Sequence, residues 1–355
     1  MWKIEKPELL AVRDNTESAI LFKTNFGDLW FSTPISNSVV LSQNMSSALI
    51  GLLIPAMKKK IDLHLAGVVD ELLFYYASGP LQSALVNFNP SLQRINISCE
   101  STSQGYNFGK EVVSGLSRGV DSFSVMDRHF IRNVKSILKG TLICLHDVWN
   151  EKNEIDVPNL GVIKRFNNLN PILEGIKYPA YLINSNLGSF YKEFSFVSTH
   201  TIRNVAAVHA VSSVGTYIYA STGYPLSVQS LNKQPEMGRT DLLLLPMLSS
   251  TELRCISGDA EKTRLEKIVG IADLDVVHEF LQVCSVSVHV NCSSCDKCLR
   301  TMIAIDIIDK IPEFSKAFNF KLYSNKKFDF INKNQNDPFM VELIDYAKAH
   351  DISIF

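Results

Sequence analysis

The chain has 355 residues, 46% of them hydrophobic and 20% charged, with a formal net charge of −1. That balance excludes a disordered chain and any global electrostatic pull towards nucleic acid or anionic membrane, leaving only local basic grooves for such partners. The length exceeds one average domain, so two are expected. The start MWKIEK carries charges where a secretory leader would begin its apolar core, and the most apolar run, 48–57, is too short to span a bilayer. A soluble, cytoplasmic protein is expected.

Residues 1–105 read as a separate α+β domain of unassigned role. Apolar runs at 19–22 and 29–31 flank the turn Asn25-Phe26-Gly27-Asp28 and predict a hairpin. Residues 46–57 predict a buried helix closed by Pro55 and the triplet Lys58-Lys59-Lys60, whose charges suit a helix C-terminus. A short strand at 61–66, helical spacing over 68–86 and an alternating strand at 93–99 follow. The Ser/Thr/Asn/Gly-rich stretch 101–109 reads as a linker.

From 111 onward strands and helices alternate. Strands are expected at 112–113, 141–145, 180–183 and 217–220, with helices over 160–176 and 201–214. This pattern predicts an α/β fold on a doubly wound, mostly parallel, Rossmann-like sheet spanning 106–312. Residues 313–355 read as a helical tail with Lys/Asn-rich loops at 324–327 and 333–336. Ligands of such sheets bind beyond the carboxyl ends of the strands.

The stretch VVSGLSRGVDSFSVM, 112–126, has the layout of a strand, a tight loop and a helix start. Backbone N–H groups at such a turn, with the positive end of the helix dipole, form a phosphate pocket. Ser117 and Ser122 can donate to phosphate oxygens, Gly119 lets the main chain approach, and Asp121 can hold Mg²⁺. An ordinary capped strand-to-helix turn accounts for the same residues.

Three further stretches fall where strands should end. His200 and Arg203 lie one turn apart at a helix start; Ser221-Thr222-Gly223-Tyr224 follows a strand and offers a substrate-facing turn; the charged run 258–267 opens a helix. The bland alternatives are a capping or core histidine, a plain loop and a solvated face of Glu–Lys pairs.

Four of the seven cysteines, Cys284, Cys292, Cys295 and Cys298, crowd into fifteen residues with spacing C-x7-C-x2-C-x2-C. Four thiolates at this reach suit tetrahedral Zn²⁺. An iron–sulfur cluster is the competitor, but a ferredoxin run would continue to a fourth cysteine followed by proline, whereas Leu299-Arg300-Thr301 follow Cys298.

The loop Ser117-Arg118-Gly119-Val120-Asp121-Ser122 resembles the SGGxDS pyrophosphate loop of the PP-loop ATP pyrophosphatases, departing from it at Arg118. Together with the four cysteines it resembles the 7-cyano-7-deazaguanine synthase group, over about 111–305. The resemblance implies ATP and Mg²⁺ on 117–122, a structural Zn²⁺ on the cysteines, and Lys262 or Arg264 touching phosphate or substrate. It implies an ATP-dependent C–N ligase that activates a small-molecule carboxylate as its adenylate before a nitrogen nucleophile attacks. Arg118, Lys262 and Arg264 are the candidate cations, with Asp121, His200 and Arg203 beside them. The N-terminal hundred residues, which the small synthases lack, point to a larger acceptor such as a protein, peptide or tRNA. A homodimer is in keeping with that group. Two alternatives stay open: sulfur delivery, for which Cys144 is the candidate thiol, and a zinc-stabilised binding protein with a degenerate loop.

Overall fold

The computed structural model describes residues 1–37, 39–105, 109–132, 135–220, 224, 226–287 and 289–353. Eleven strands are present among them: β1 (Trp2–Ile4), β2 (Glu8–Val12), β3 (Glu17–Phe22), β4 (Leu29–Pro34), β5 (Leu63–Asp70), β6 (Ile97–Ser103), β7 (Glu111–Gly115), β8 (Leu142–Asp147), β9 (Ala180–Ser185), β10 (Val214–Ala220) and β11 (Arg254–Gly258). They form one eight-stranded sheet, β11-β10-β7-β8-β9-β4-β3-β2, and one three-stranded sheet, β1-β5-β6.

The large sheet is mixed. β7 to β11 run parallel to one another, while β4, β3 and β2 add an antiparallel wing beyond β9. Side chains alternate between faces along a strand, and each face has its own core. Val113, Cys144, Tyr181, Ile183 and Tyr217 point into one that includes the helices Ser46–Lys59 and His200–His209. Leu116 and Ile143 join the other, built from the helices Val120–Met126, Arg264–Ile271 and Asp296–Ile307. Near-continuous apolar strands are what a sheet covered on both faces requires.

The boundary expected near residue 105 divides neither sheet nor core. β4 pairs with β9 (Phe31↔Ser185, Ser32↔Asn184), the Trp30 N–H donates to Asn186 Oδ1 at 3.0 Å, and one apolar core runs from Trp2 to Cys255. The periodicity of 17–34 reveals strands but not their partner, which lies about 150 residues downstream by the loop-tolerance of long connections. The tail is likewise core: its helices Phe320–Lys333 and Pro338–Ala349 send Tyr323, Ile331 and Leu343 into the second core. The Lys-rich stretch 324–327 lies inside the first of these, not in a loop.

Several boundaries differ from expectation. Pro55 does not close its helix, which runs on to Lys59 and ends with Lys60 in the left-handed region at φ 59°. The single helices expected at 68–86 and 160–176 are each two, broken before Pro80 and near Pro171, because a helix interior tolerates proline poorly. β5 extends through Val68–Asp70, and Val214 opens β10 rather than closing a helix. The linker expected at 101–109 starts inside β6, and its 106–108 lie outside the described residues. Among the described residues no helix is long and apolar enough to cross a membrane.

Candidate functional site

β7 leads into the loop because Val112, Val113 and Ser114 are buried in the sheet, Ser114 donating to the Ile218 carbonyl of β10 at 2.7 Å, whereas Ser117 emerges at the surface. The turn then closes on itself. Ser117 Oγ donates to Ser122 Oγ at 3.2 Å and accepts the Gly119 N–H at 3.3 Å, and Ser122 Oγ donates to the Gly119 carbonyl at 2.9 Å. The helix Val120–Met126 starts there, leaving the N–H groups of its first turn without intrahelical acceptors.

Arg118 has φ 66°. It therefore takes the left-handed conformation that glycine adopts freely and that costs another residue roughly 1–2 kcal/mol. Its carbonyl accepts the Gln282 N–H at 2.8 Å, tying the loop to the segment that leads into the cysteines. Burial, and then the charge of nearby Arg165, lowers the Arg118 pKa. Arg165 itself lies over the Trp149 ring at 5.6 Å.

The Asp121 carboxylate faces the helix Arg264–Ile271. Arg264 Nη1 lies 2.5 Å from Oδ2 and Lys267 Nζ 3.0 Å from Oδ1. Burial would raise this carboxyl, but the two cations together hold it below the usual carboxylate range. A capping box fixes the helix start: Thr263 Oγ1 accepts the Glu266 N–H and the Glu266 carboxylate accepts the Thr263 N–H. With that start, Arg264 and Lys267 share one face, three residues apart. The solvated-face reading of 258–267 fails here, since the Lys267 side chain is 0% exposed. Lys262 goes elsewhere, pairing with the buried Asp259 at 3.2 Å beside Arg128 and Ser124. Both Asp121 oxygens being engaged, this loop offers Mg²⁺ no open carboxylate.

His200 and Arg203 lie beyond the carboxyl ends of β8, β9 and β10 but are buried, 6% and 4% exposed. His200 Nδ1 lies 2.5 Å from Tyr219 Oη, and burial lowers its pKa to about 4, so the ring is neutral. The Arg203 guanidinium sits 4.2 Å over Tyr191 and 5.5 Å over Phe196, and Phe196 stacks on Trp149 at 3.8 Å. Cys144 is fully enclosed and burial pushes its thiol up to about 12, which leaves it inert as a nucleophile. Of the turn 221–224, Ser221, Thr222 and Gly223 lie outside the described residues; Tyr224 donates to Glu236 at 2.8 Å.

The four cysteines come together. Their sulfurs all lie within 4.8 Å of one another, and Cys284 and Cys295 are 3.9 Å apart. A Zn–S bond of about 2.3 Å places tetrahedral sulfurs roughly 3.8 Å from each other, so the cluster can hold a metal such as zinc. Backbone N–H groups point at two of the sulfurs: Cys284 Sγ accepts those of Val286 and Ser287, and Cys292 Sγ that of Cys295. Asn291 braces the knuckle, Oδ1 accepting from the Val283 and Cys284 N–H groups and Nδ2 donating to the Leu281 and Ala317 carbonyls. The helix Asp296–Ile307 starts from Cys295 and packs into the core.

Lys267, Arg165, Tyr219 and Asp241 were not singled out by the sequence. Only Lys267 had a readable signal, the Thr263-x-x-Glu266 box that sets the helix phase. No family model, no curated protein and no solved structure matches this chain.

Proposed function

We propose that this protein is an ATP-dependent adenylating enzyme of the C–N ligase type, with ATP bound at the 117–122 loop. The observation that carries the reading is the loop itself. Arg118, at the position where the motif has glycine, takes at φ 66° the left-handed conformation that glycine adopts freely, so the arginine is compatible with a glycine-like turn there. The five parallel strands in the order β11-β10-β7-β8-β9 support a doubly wound sheet whose chain direction reverses between β7 and β10, where the loop sits.

In this reading the loop N–H groups and Ser117 bind the leaving pyrophosphate. Arg264 and Lys267, held by Asp121, add positive charge beside it. A substrate carboxylate attacks the α-phosphorus, pyrophosphate leaves, and a nitrogen nucleophile then displaces AMP. Mg²⁺ bound to the nucleotide would neutralise phosphate charge, without a ligand from Asp121, whose two oxygens are taken by Arg264 and Lys267. Zn²⁺ on Cys284, Cys292, Cys295 and Cys298 is structural. It fits better than an iron–sulfur cluster because all four sulfurs lie within 4.8 Å of one another, close to the spacing around a single zinc. The inert Cys144 disfavours sulfur delivery.

The test is ATP–pyrophosphate exchange with Mg-ATP across a panel of carboxylates that includes 7-carboxy-7-deazaguanine, with Ser117→Ala as control, because its exposed side chain can be removed without disturbing the core. Exchange that needs one carboxylate and weakens in S117A supports adenylation. Ligand binding without exchange for any carboxylate replaces this reading with that of a binding module on a degenerate loop.

A further inference from the structure

The 117–122 loop and the cysteine knuckle meet at Gln282. Its backbone N–H donates to the Arg118 carbonyl at 2.8 Å, and its own carbonyl lies 3.9 Å from where a Cβ on Gly119 would stand. Arg118 gains from such a tether. At φ 66° it holds a conformation that arginine leaves for negative φ unless its surroundings oppose the change, whereas glycine is at ease there.

Gln282 is held in turn from the knuckle side. Its Nε2 donates to the Ser287 carbonyl at 2.9 Å, and the Ser287 N–H points at Cys284 Sγ at 3.3 Å. The next two N–H groups, of Val283 and Cys284, donate to Asn291 Oδ1, and Asn291 directly precedes Cys292. Burial contributes little to this stretch. None of the described residues from Cys284 to Asn291 is buried, Val286 and Val290 being 76% and 66% exposed. Arg118, Gln282 and Asn291 also border one cavity of about 680 Å³. Closing the 284–292 loop therefore falls largely to the cysteine sulfurs drawn onto one metal.

We propose that metal at the four cysteines and nucleotide at the 117–122 loop are coupled through Gln282 as the positioning residue, an inference that rests on reading that loop as the ATP site. With metal bound, the 284–292 loop is closed, the Gln282 N–H stays aimed at the Arg118 carbonyl, and the turn keeps its shape. Without metal that N–H loses its direction and Arg118 relaxes. Leu281 and Val283 remain buried on either side of Gln282, so the segment loosens and does not detach. The effect is several-fold, not all-or-none. It is also reciprocal: the factor by which metal strengthens nucleotide binding is the factor by which nucleotide strengthens metal binding.

The test compares Mg-ATP binding to zinc-loaded and chelator-stripped protein by calorimetric titration, with circular dichroism reporting whether the stripped chain is folded. The net worth of one hydrogen bond corresponds to about fivefold weaker binding without zinc. Zinc competition against a chromophoric chelator reads the opposite direction in protein that starts folded and loaded. Saturating Mg-ATP should strengthen zinc retention by about the same fivefold. Arg118→Gly separates the tether from general scaffolding. Glycine keeps the turn unaided, so both ratios should fall towards one, whatever loss of the guanidinium does to ATP affinity itself. The variant also controls for zinc taken up by ATP.

Equal Mg-ATP affinity in the two metal states, with zinc retention indifferent to Mg-ATP, overturns the coupling and leaves adenylation standing. Coupling undiminished in R118G overturns the route through Gln282. Should the stripped chain unfold, the zinc competition decides alone. A zinc-loaded protein that binds no Mg-ATP overturns the adenylation reading, and the coupling with it.

Discussion

Lys267 reaches Asp121 Oδ1 at 3.0 Å from a position with no solvent exposure, so the charge of a buried lysine depends on one loop carboxylate. Arg264 shares that carboxylate but is 16% exposed and keeps some contact with water. Truncating Asp121 therefore strands Lys267. Removing one partner of a buried pair typically costs 3–5 kcal/mol, so Asp121→Ala is expected to destabilise the fold by about 3 kcal/mol in urea unfolding, more than Arg264→Ala does.

The same pair sets an acid limit. Asp121 has a folded pKa below its unfolded value of about 3.9. Its stabilisation is complete above that value and is lost as pH falls through the depressed folded one. Wild type and Asp121→Asn are expected to converge in stability as pH falls below about 4. A constant gap between them down to the acid transition would refute the ionised pair.

Arg118→Gly relieves a left-handed backbone at φ 66°. The midpoint of urea unfolding should rise, corresponding to about 1 kcal/mol, and Arg118→Val should lower it. A destabilised R118G would mean that the arginine side chain contributes more than the strain costs.

Metal analysis of the purified protein should find one zinc per chain. Chelation at neutral pH is expected to lower the melting temperature by on the order of 10 °C. Asn291→Ala should weaken retention of the metal, because Asn291 Oδ1 fixes the backbone of Cys284 and its side-chain amide joins the knuckle to Ala317.

Thiol labelling separates the seven cysteines. With metal bound, only the half-buried Cys99 should react readily, since Cys144 and Cys255 are buried. Removing the metal should release further reactive thiols, and all seven should react in denaturant.

Much of this was legible in the chain and some was not, for physical reasons. The hairpin β3–β4 follows from two apolar runs about a turn, and Phe22 does pair with Leu29. The cysteine cluster was readable because four ligands within fifteen residues need little help from the rest of the fold. The pairing of β4 with β9 was not, because the two segments carry no mark of each other. The loop residues were found by type, yet their partners came from a distant helix: Asp121 was assigned to Mg²⁺ while Arg264 and Lys267 hold it. Lys262, the more conspicuous cation, serves Asp259. His200 and Arg203 were expected near strand ends, but the sequence did not show that both would be buried there.

The single sheet that joins the amino-terminal wing to the parallel strands constrains how this chain can be made. β2, β3 and β4 are complete on the ribosome when residue 34 emerges, but the partner edge, β9, ends only at Ser185. Throughout that interval Phe31 and Ser32 belong to a strand with a bare edge. The nascent wing therefore depends on shielding, by a chaperone or by the helices that follow it, until the middle of the chain arrives. Slowing translation before residue 180 should raise aggregation, whereas the same delay after it should not.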